Sequence, residues 1–272
     1  MLSNFLIALR EGLEASLIIG ILVAFIVRSN NRKSLVLVWI GVALAALASL
    51  TFGAFLSFTS AQLSPRGEQI FAGTTSLAAV ALVTWMVFWM KSNARGLREN
   101  IHGKVEEALP MGKIALVLTA FFAVVREGLE TSLFLFTNAK TVHDNSRPLI
   151  GLILGLVAAI GLGVALYRRS IKINISKFFA ITGTALLIVA AGVLQHAVFE
   201  FQEFGALPGA HALIWDWTGA PSAVTTILSG TIGINTTTSW LQFIVWVGYL
   251  GLVIRPYLAP AKAQPKREEV PA

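Results

Sequence analysis

The chain has 272 residues, of which 56% are hydrophobic and 13% are charged. A soluble domain carries about a quarter charged residues, so this composition excludes an ordinary soluble fold and indicates a protein of the lipid bilayer. The formal net charge is +7, and we attribute it to basic residues in the loops and not to a nucleic-acid partner. The chain has no cysteine, which excludes disulfides and thiolate metal sites.

Seven apolar stretches follow one another along the chain, and each is near the length of about 20 residues that crosses a bilayer as a helix. Backbone groups in lipid must hydrogen-bond within their own segment, and the stretches lack the alternation of barrel strands. The sequence therefore predicts an all-α polytopic membrane protein with about seven transmembrane helices, at roughly 2–27, 35–58, 69–90, 113–137, 148–167, 176–198 and 238–256.

The segment 199–237 differs from its neighbours because it contains Pro208, Gly209 and Pro221 and ends in a run of threonines. We interpret it as a long extracellular loop, partly re-entrant, before the seventh helix. The tail 259–272 is rich in proline and charge and is expected to be a disordered cytoplasmic segment.

Basic residues predict the orientation of the chain in the cell membrane. Lysine and arginine are concentrated in loops 28–34, 91–113 and 168–177 and in the tail, whereas the alternate side carries Arg66, Lys140 and Arg147. This asymmetry places the N-terminus outside and the C-terminus in the cytoplasm.

One motif occurs twice. Residues 9–17 read LREGLEASL and residues 125–133 read VREGLETSL, with seven identical positions. Each copy begins a unit of three spans, and an odd number of spans turns the second unit upside down, as in many secondary transporters. We therefore divide the chain into a first three-helix repeat (1–108), an inverted second repeat (109–198), the loop with the seventh helix (199–258) and the tail (259–272).

The motif places ionisable side chains deep in a predicted span, where each costs about 2.5–3.5 kcal/mol on insertion scales and is expected to face a partner or a cavity. Glu11 and Glu14 share one helix face, and Arg10 lies one turn from Glu14. The second copy repeats this spacing. The candidate metal ligands are Glu11, Glu14, Glu127 and Glu130, supported by Arg10, Arg126, Ser16 and Ser132.

Four carboxylates and two guanidinium groups carry a formal charge of −2 and favour a cation. Oxygen ligands suit hard ions such as ferric iron, magnesium, calcium or manganese. Without cysteine, and without methionine beside either motif in the sequence, copper(I) is disfavoured.

The two R-E-G-L-E pentapeptides, at 10–14 and 126–130, resemble the paired motifs of the oxidase-dependent iron permease family of fungi and bacteria. The resemblance covers essentially the whole chain. It implies that Glu11, Glu14, Glu127 and Glu130 are iron ligands on the transport path, positioned or neutralised by the two arginines. It also implies that iron, ferric or ferrous, is the imported substrate, that no cofactor is permanently bound, and that the chain is not an enzyme. A separate extracytoplasmic protein that oxidises or delivers iron is the partner that the family suggests.

A second polar group lies at the outer end of the sixth predicted span, where His196, Glu200 and Glu203 follow one another at helical spacing. It is either an outer capture site that collects the cation or an ordinary interfacial helix end.

Two other functions remain open. Buried carboxylates also relay protons, so the chain is alternatively a proton-coupled transporter of lead, manganese or calcium. A more remote alternative is an intramembrane di-metal oxidase, but such bundles usually carry Glu-x-x-His pairs, whereas both motifs here read Glu-x-x-Glu.

Overall fold

The computed structural model describes residues 2–28, 32–93, 113–141, 147–167, 175–216 and 237–259. This part of the chain contains seven α-helices, a short 3-10 helix (Arg32–Ser34) and two short strands. The helices are α1 (Leu2–Arg28), α2 (Leu35–Gln62), α3 (Pro65–Asn93), α4 (Lys113–Thr141), α5 (Arg147–Tyr167), α6 (Ile175–Glu203) and α7 (Trp240–Leu258). The all-α polytopic architecture predicted from the sequence is confirmed.

Five of these helices are long and apolar enough to cross a membrane, namely α2, α3, α5, α6 and α7. The other two, α1 and α4, contain the motifs, and each motif places three charged side chains in its helix. The largest difference from the predicted bounds is at α6, which continues to Glu203 although the apolar stretch was expected to end at residue 198. Its last turn contains Gln202, whose buried side chain bonds to neighbouring segments and stabilises the extension.

The segment 199–237, expected to be a loop, contains one strand, and a second strand begins at its last residue and takes the place of the predicted start of the seventh helix. β1 (Leu213–Asp216) pairs antiparallel with β2 (Thr237–Ser239), and Ser239 then caps α7 through a reciprocal capping box with Gln242. Residues 217–236 of the predicted loop lie outside the described residues, as does the predicted tail from residue 260 onward.

Within each predicted repeat, consecutive helices touch little, and the extensive contacts join one predicted repeat to the other. α1 packs mainly on α5, α2 on α4, and α3 on α6. Further contacts join α1 to α4 and α6, and α4 to α3, while α7 packs on α6. The helices of residues 2–93 are therefore interleaved with those of 113–203, and the proposed inverted relation between the two units stays a prediction.

The α1, α3, α4 and α6 helices form the centre, and α2 and α5 flank it. The flanking helices expose many large apolar side chains, including Trp39, Leu50 and Phe58 on α2 and Ile153 and Val157 on α5. A surface of this kind suits contact with lipid acyl chains.

The buried apolar side chains form two main clusters. One joins α3 and α6 and includes Met86, Val87, Leu186 and Leu187. The other joins α1, α2 and α4, with Ile18, Leu22, Ile26, Val38, Leu116 and Ala120. Ile18 follows Glu14 by one turn, so this second cluster closes one side of the charged region.

Candidate metal centre

Glycines set the distance between each charged helix and its flanking helix. A Cβ atom at Gly12 would lie 2.8 Å from the Cβ of Ala159 on α5, and one at Gly128 would overlap the hydroxyl of Ser49 on α2. Only glycine permits this approach. The glycine side of each motif therefore faces the periphery, and the glutamates face the helices of the centre.

Three glutamates from two helices meet at the centre. Glu11, Glu14 and Glu127 each offer one carboxylate oxygen, and these oxygens all lie within 4.8 Å of one another. The three residues are 3%, 3% and 6% exposed. Hard cations bind oxygen at about 2.0–2.6 Å, so ligands on opposite sides of one ion are about 4.0–5.2 Å apart. The spacing of the cluster suits a single cation.

Several oxygens of this region have no hydrogen-bond donor among the described residues. They are Oε2 of Glu11, Oε2 of Glu127 and Oε2 of Glu130, and all three are buried. Buried polar atoms in proteins are nearly always partnered. Carboxylate oxygens from different helices that have no hydrogen-bond donor are suited to bind a cation.

Arg10 is enclosed by its own motif and by α3. Its Nη1 donates to Glu11 Oε1 at 3.0 Å and to the sulfur of Met86 at 3.3 Å, and its Nη2 lies 3.2 Å from Glu14 Oε1. The side chain is 1% exposed. Arg10 therefore balances part of the charge of both glutamates on α1.

Arg126 has different surroundings, although the two pentapeptides are identical in sequence. Its Nε donates to Glu130 Oε1 at 3.0 Å, and its side chain is 35% exposed. The guanidinium carbon lies 5.8 Å from the ring centre of Trp85 and 5.0 Å from that of Trp89, both on α3. Glu130, the fourth predicted ligand, thus pairs with Arg126 and is not part of the three-carboxylate cluster.

The two motif serines lie in the contacts with the flanking helices. The hydroxyl of Ser132 donates to the backbone carbonyls of Ser49 at 2.8 Å and Gly128 at 2.9 Å. Ser16 lies against Gly163 of α5, where an added Cβ would be 2.6 Å from the serine Cβ. The described contacts of these serines are with α2 and α5, whereas the sequence predicted hydroxyls beside the carboxylates.

The predicted outer group is partly assembled. His196 Nε2 lies 3.3 Å from Glu200 Oε1, with side chains 7% and 15% exposed, while Glu203 is exposed at the end of α6.

Sequence reasoning missed a buried amide network beside this group. Gln202 Oε1 accepts hydrogen bonds from Ser239 Oγ at 3.0 Å and Gln242 Nε2 at 2.8 Å, and its Nε2 donates to the carbonyl of Pro208 at 3.0 Å. Gln195 Nε2 donates to Thr238 Oγ1 at 3.2 Å. The presence of glutamines in apolar helices was the available signal, because an amide in such a position requires partners.

Comparison with known proteins gives one consistent result. The chain matches the iron permease FTR1 family over residues 1–258. It is 34% identical over 269 residues to the ferrous iron permease EfeU of Escherichia coli, with 97% of both chains covered. It is also 34% identical over 256 residues to the ferrous iron permease EfeU of Yersinia pestis, with 92% of this chain and 90% of the relative covered. No solved structure matches the chain.

Proposed function

This chain belongs to the iron permease FTR1 family, and on that premise we propose that it imports ferrous iron across the cell membrane through the glutamates of α1 and α4. The relatives are named permeases, that is, transporters, and a multi-pass membrane protein with iron as its substrate follows from the family. The ferrous state is taken from the relatives' names.

The observation that carries the proposal is the cluster of Glu11, Glu14 and Glu127. With all groups ionised, these three carboxylates and Arg10 leave two negative charges, while Arg126 and Glu130 balance each other. A divalent cation neutralises that remainder. Because the ligands come from α1 and α4, a small separation of the two helices is enough to release the ion.

We further propose that the pair of His196 and Glu200 collects the cation before it reaches the cluster, with Glu203 at the surface. Support comes from the position of the pair near the end of α6, outside the central cluster. A cation attracted there is held close to the transport path, and the local concentration rises.

The decisive experiment is uptake of radioactive iron by cells that lack other iron importers, with the metal supplied as ferrous or ferric ion. Glu14→Gln keeps the shape of the side chain and removes its charge, so uptake is expected to fall by at least about tenfold, equivalent to about 1.4 kcal/mol. Glu68→Gln is the matched control, since Glu68 lies in the first turn of α3 outside the cluster. Unchanged uptake by Glu14→Gln at normal expression contradicts the proposal.

The cluster consists of carboxylates, which also suit other divalent ions, so transport of lead, manganese or calcium in exchange for protons is the second candidate. Competition of each ion with ferrous iron at two pH values separates the two. Iron import predicts that a tenfold excess of calcium leaves iron uptake nearly unchanged.

Iron uptake by the purified protein in liposomes tests whether transport requires the proposed partner protein. Uptake without any added protein indicates that a separate iron-oxidising or iron-delivering protein is an accessory. Reporter fusions at either end of the chain test the proposed orientation, with the N-terminus outside and the C-terminus in the cytoplasm.

A further inference from the structure

The two motifs have identical pentapeptides, yet their arginines are held by different groups. Arg10 contacts both glutamates of its own helix. Arg126 contacts Glu130 and lies over two indole rings of α3. The neighbour of Arg126 in the sequence, Glu127, is thereby available to join the glutamates of α1.

Trp85 and Trp89 are one helical turn apart and present their rings to the same cation. The distances of 5.8 Å and 5.0 Å are within the range of about 6 Å in which a ring attracts a guanidinium group. This attraction strengthens where water is excluded. Two rings on one rigid helix therefore fix the position of the Arg126 guanidinium beside Glu130.

We propose that Trp85 and Trp89 are positioning residues for transport, because they hold Arg126 on the side of Glu130 and away from Glu127. This inference rests on the proposed function. The tryptophans do not contact the ion; they keep the charge of the three-carboxylate cluster available for it.

The charge balance gives the consequence of losing the rings. Glu11, Glu14, Glu127 and Arg10 carry a net charge of −2 when ionised. Arg126 precedes Glu127 as Arg10 precedes Glu11, and Nη1 of Arg10 lies 3.0 Å from Oε1 of Glu11, so a released Arg126 has the reach to bring its guanidinium group to Glu127. One added positive charge halves the net charge, and attraction at this depth is strong because little water screens it.

The first experiment measures iron uptake against iron concentration for the double variant Trp85→Leu/Trp89→Leu. Leucine keeps an apolar surface and removes the ring faces. We expect KM to rise by about tenfold, which corresponds to about 1.4 kcal/mol, with kcat changed much less. Trp39→Leu is the matched control, because Trp39 is 56% exposed on the flanking α2 helix, and its KM should equal that of the unaltered protein.

Phenylalanine substitutions test whether the aromatic rings of Trp85 and Trp89 are needed or whether any apolar side chain of sufficient volume is enough. Trp85→Phe/Trp89→Phe retains both ring faces, so its KM is expected to lie close to that of the unaltered protein. If the phenylalanine variant is as impaired as the leucine variant, or if the leucine variant has an unchanged KM, the inference is wrong.

A double-mutant cycle tests whether the tryptophans act through Arg126. The Arg126→Gln variant lacks the guanidinium group that the rings hold. In this background the leucine substitutions should no longer alter the affinity for iron. An equal effect in both backgrounds overturns the inference. The same cycle can be measured without transport, as binding of ferrous or manganese ions to the purified protein. The role of the tryptophans can therefore be tested even if the unaltered protein fails to import iron. Failure to import iron would contradict only the proposed function.

Discussion

Gly128 of α4 lies directly against Ser49 of α2, so closely that a Cβ on the glycine would overlap the serine hydroxyl oxygen and lie 2.9 Å from the serine Cβ. The same serine provides the backbone carbonyl that accepts a hydrogen bond from Ser132, one turn further along α4. This contact fixes how α4 is rotated, and with it the direction of Glu127.

Substitution of Gly128 by alanine is therefore expected to force α4 away from α2. Overpacking of this kind costs about 1–3 kcal/mol. Thermal unfolding of the purified protein should show the loss, together with reduced iron uptake. Gly20→Ala is the control, because a Cβ built at Gly20 has no described atom within 4 Å beyond its chain neighbours and the nearby backbone of its own helix. Recovery by Ser49→Gly, which removes the opposing atoms, is the expected result, and no recovery would mean that the clash is not the cause.

Arg10→Gln is expected to be more harmful to stability than Arg126→Gln. Arg10 is 1% exposed and its removal leaves Glu11 and Glu14 without their shared cation, and breaking a buried ion pair costs about 3–5 kcal/mol. Arg126 is 35% exposed and pairs with Glu130 alone among the described ion pairs. The measurement is the yield of folded protein in detergent, and a yield for Arg10→Gln equal to that for Arg126→Gln would contradict this ranking.

Gln202→Leu should loosen the junction between α6 and α7. The amide of Gln202 bonds to Ser239, Gln242 and Pro208, and a partner left unsatisfied in a buried position costs about 1–3 kcal/mol. We expect a lower melting temperature. Gln62→Leu, at the exposed end of α2, should melt like the unaltered protein; a similar loss there would show that the effect does not come from the network.

Glu200→Gln tests the proposed capture pair. If His196 and Glu200 only concentrate the ion, the variant should raise KM for iron with little change in kcat, because binding that is equal in the ground and transition states affects KM alone. Uptake measured over a range of iron concentrations provides both constants. A fall in kcat without a change in KM would place Glu200 in the transport step instead.

The sequence predicted the helices and the charged motifs because both depend on local patterns. Apolar runs set the helix bounds within a few residues, except at the end of α6. The spacing of Glu11 and Glu14 was enough to place both carboxylates on one face of a helix. Their approach to Glu127 was expected from the repeat alone.

The unequal surroundings of the two arginines were not predictable in this way. Met86 is separated from Arg10 by 76 positions, and Trp85 and Trp89 contact Arg126 from another helix. Nothing local distinguishes these α3 residues from other apolar side chains in a membrane span. The two strands were missed for a similar reason, because each is short and β1 is separated from β2 by a long segment.

The interleaved packing has a consequence for biogenesis. During synthesis α1 is inserted into the bilayer before its main neighbour, α5, has been made. Until α3 and α4 follow with Met86 and Glu127, the charged side chains of Arg10, Glu11 and Glu14 have only one another as partners, and their contacts within a single helix lower the free-energy cost of placing them in lipid. Most of the surface that covers α1 belongs to α4, α5 and α6, so we expect the first half of the polypeptide to mature only when the second half is in the same membrane.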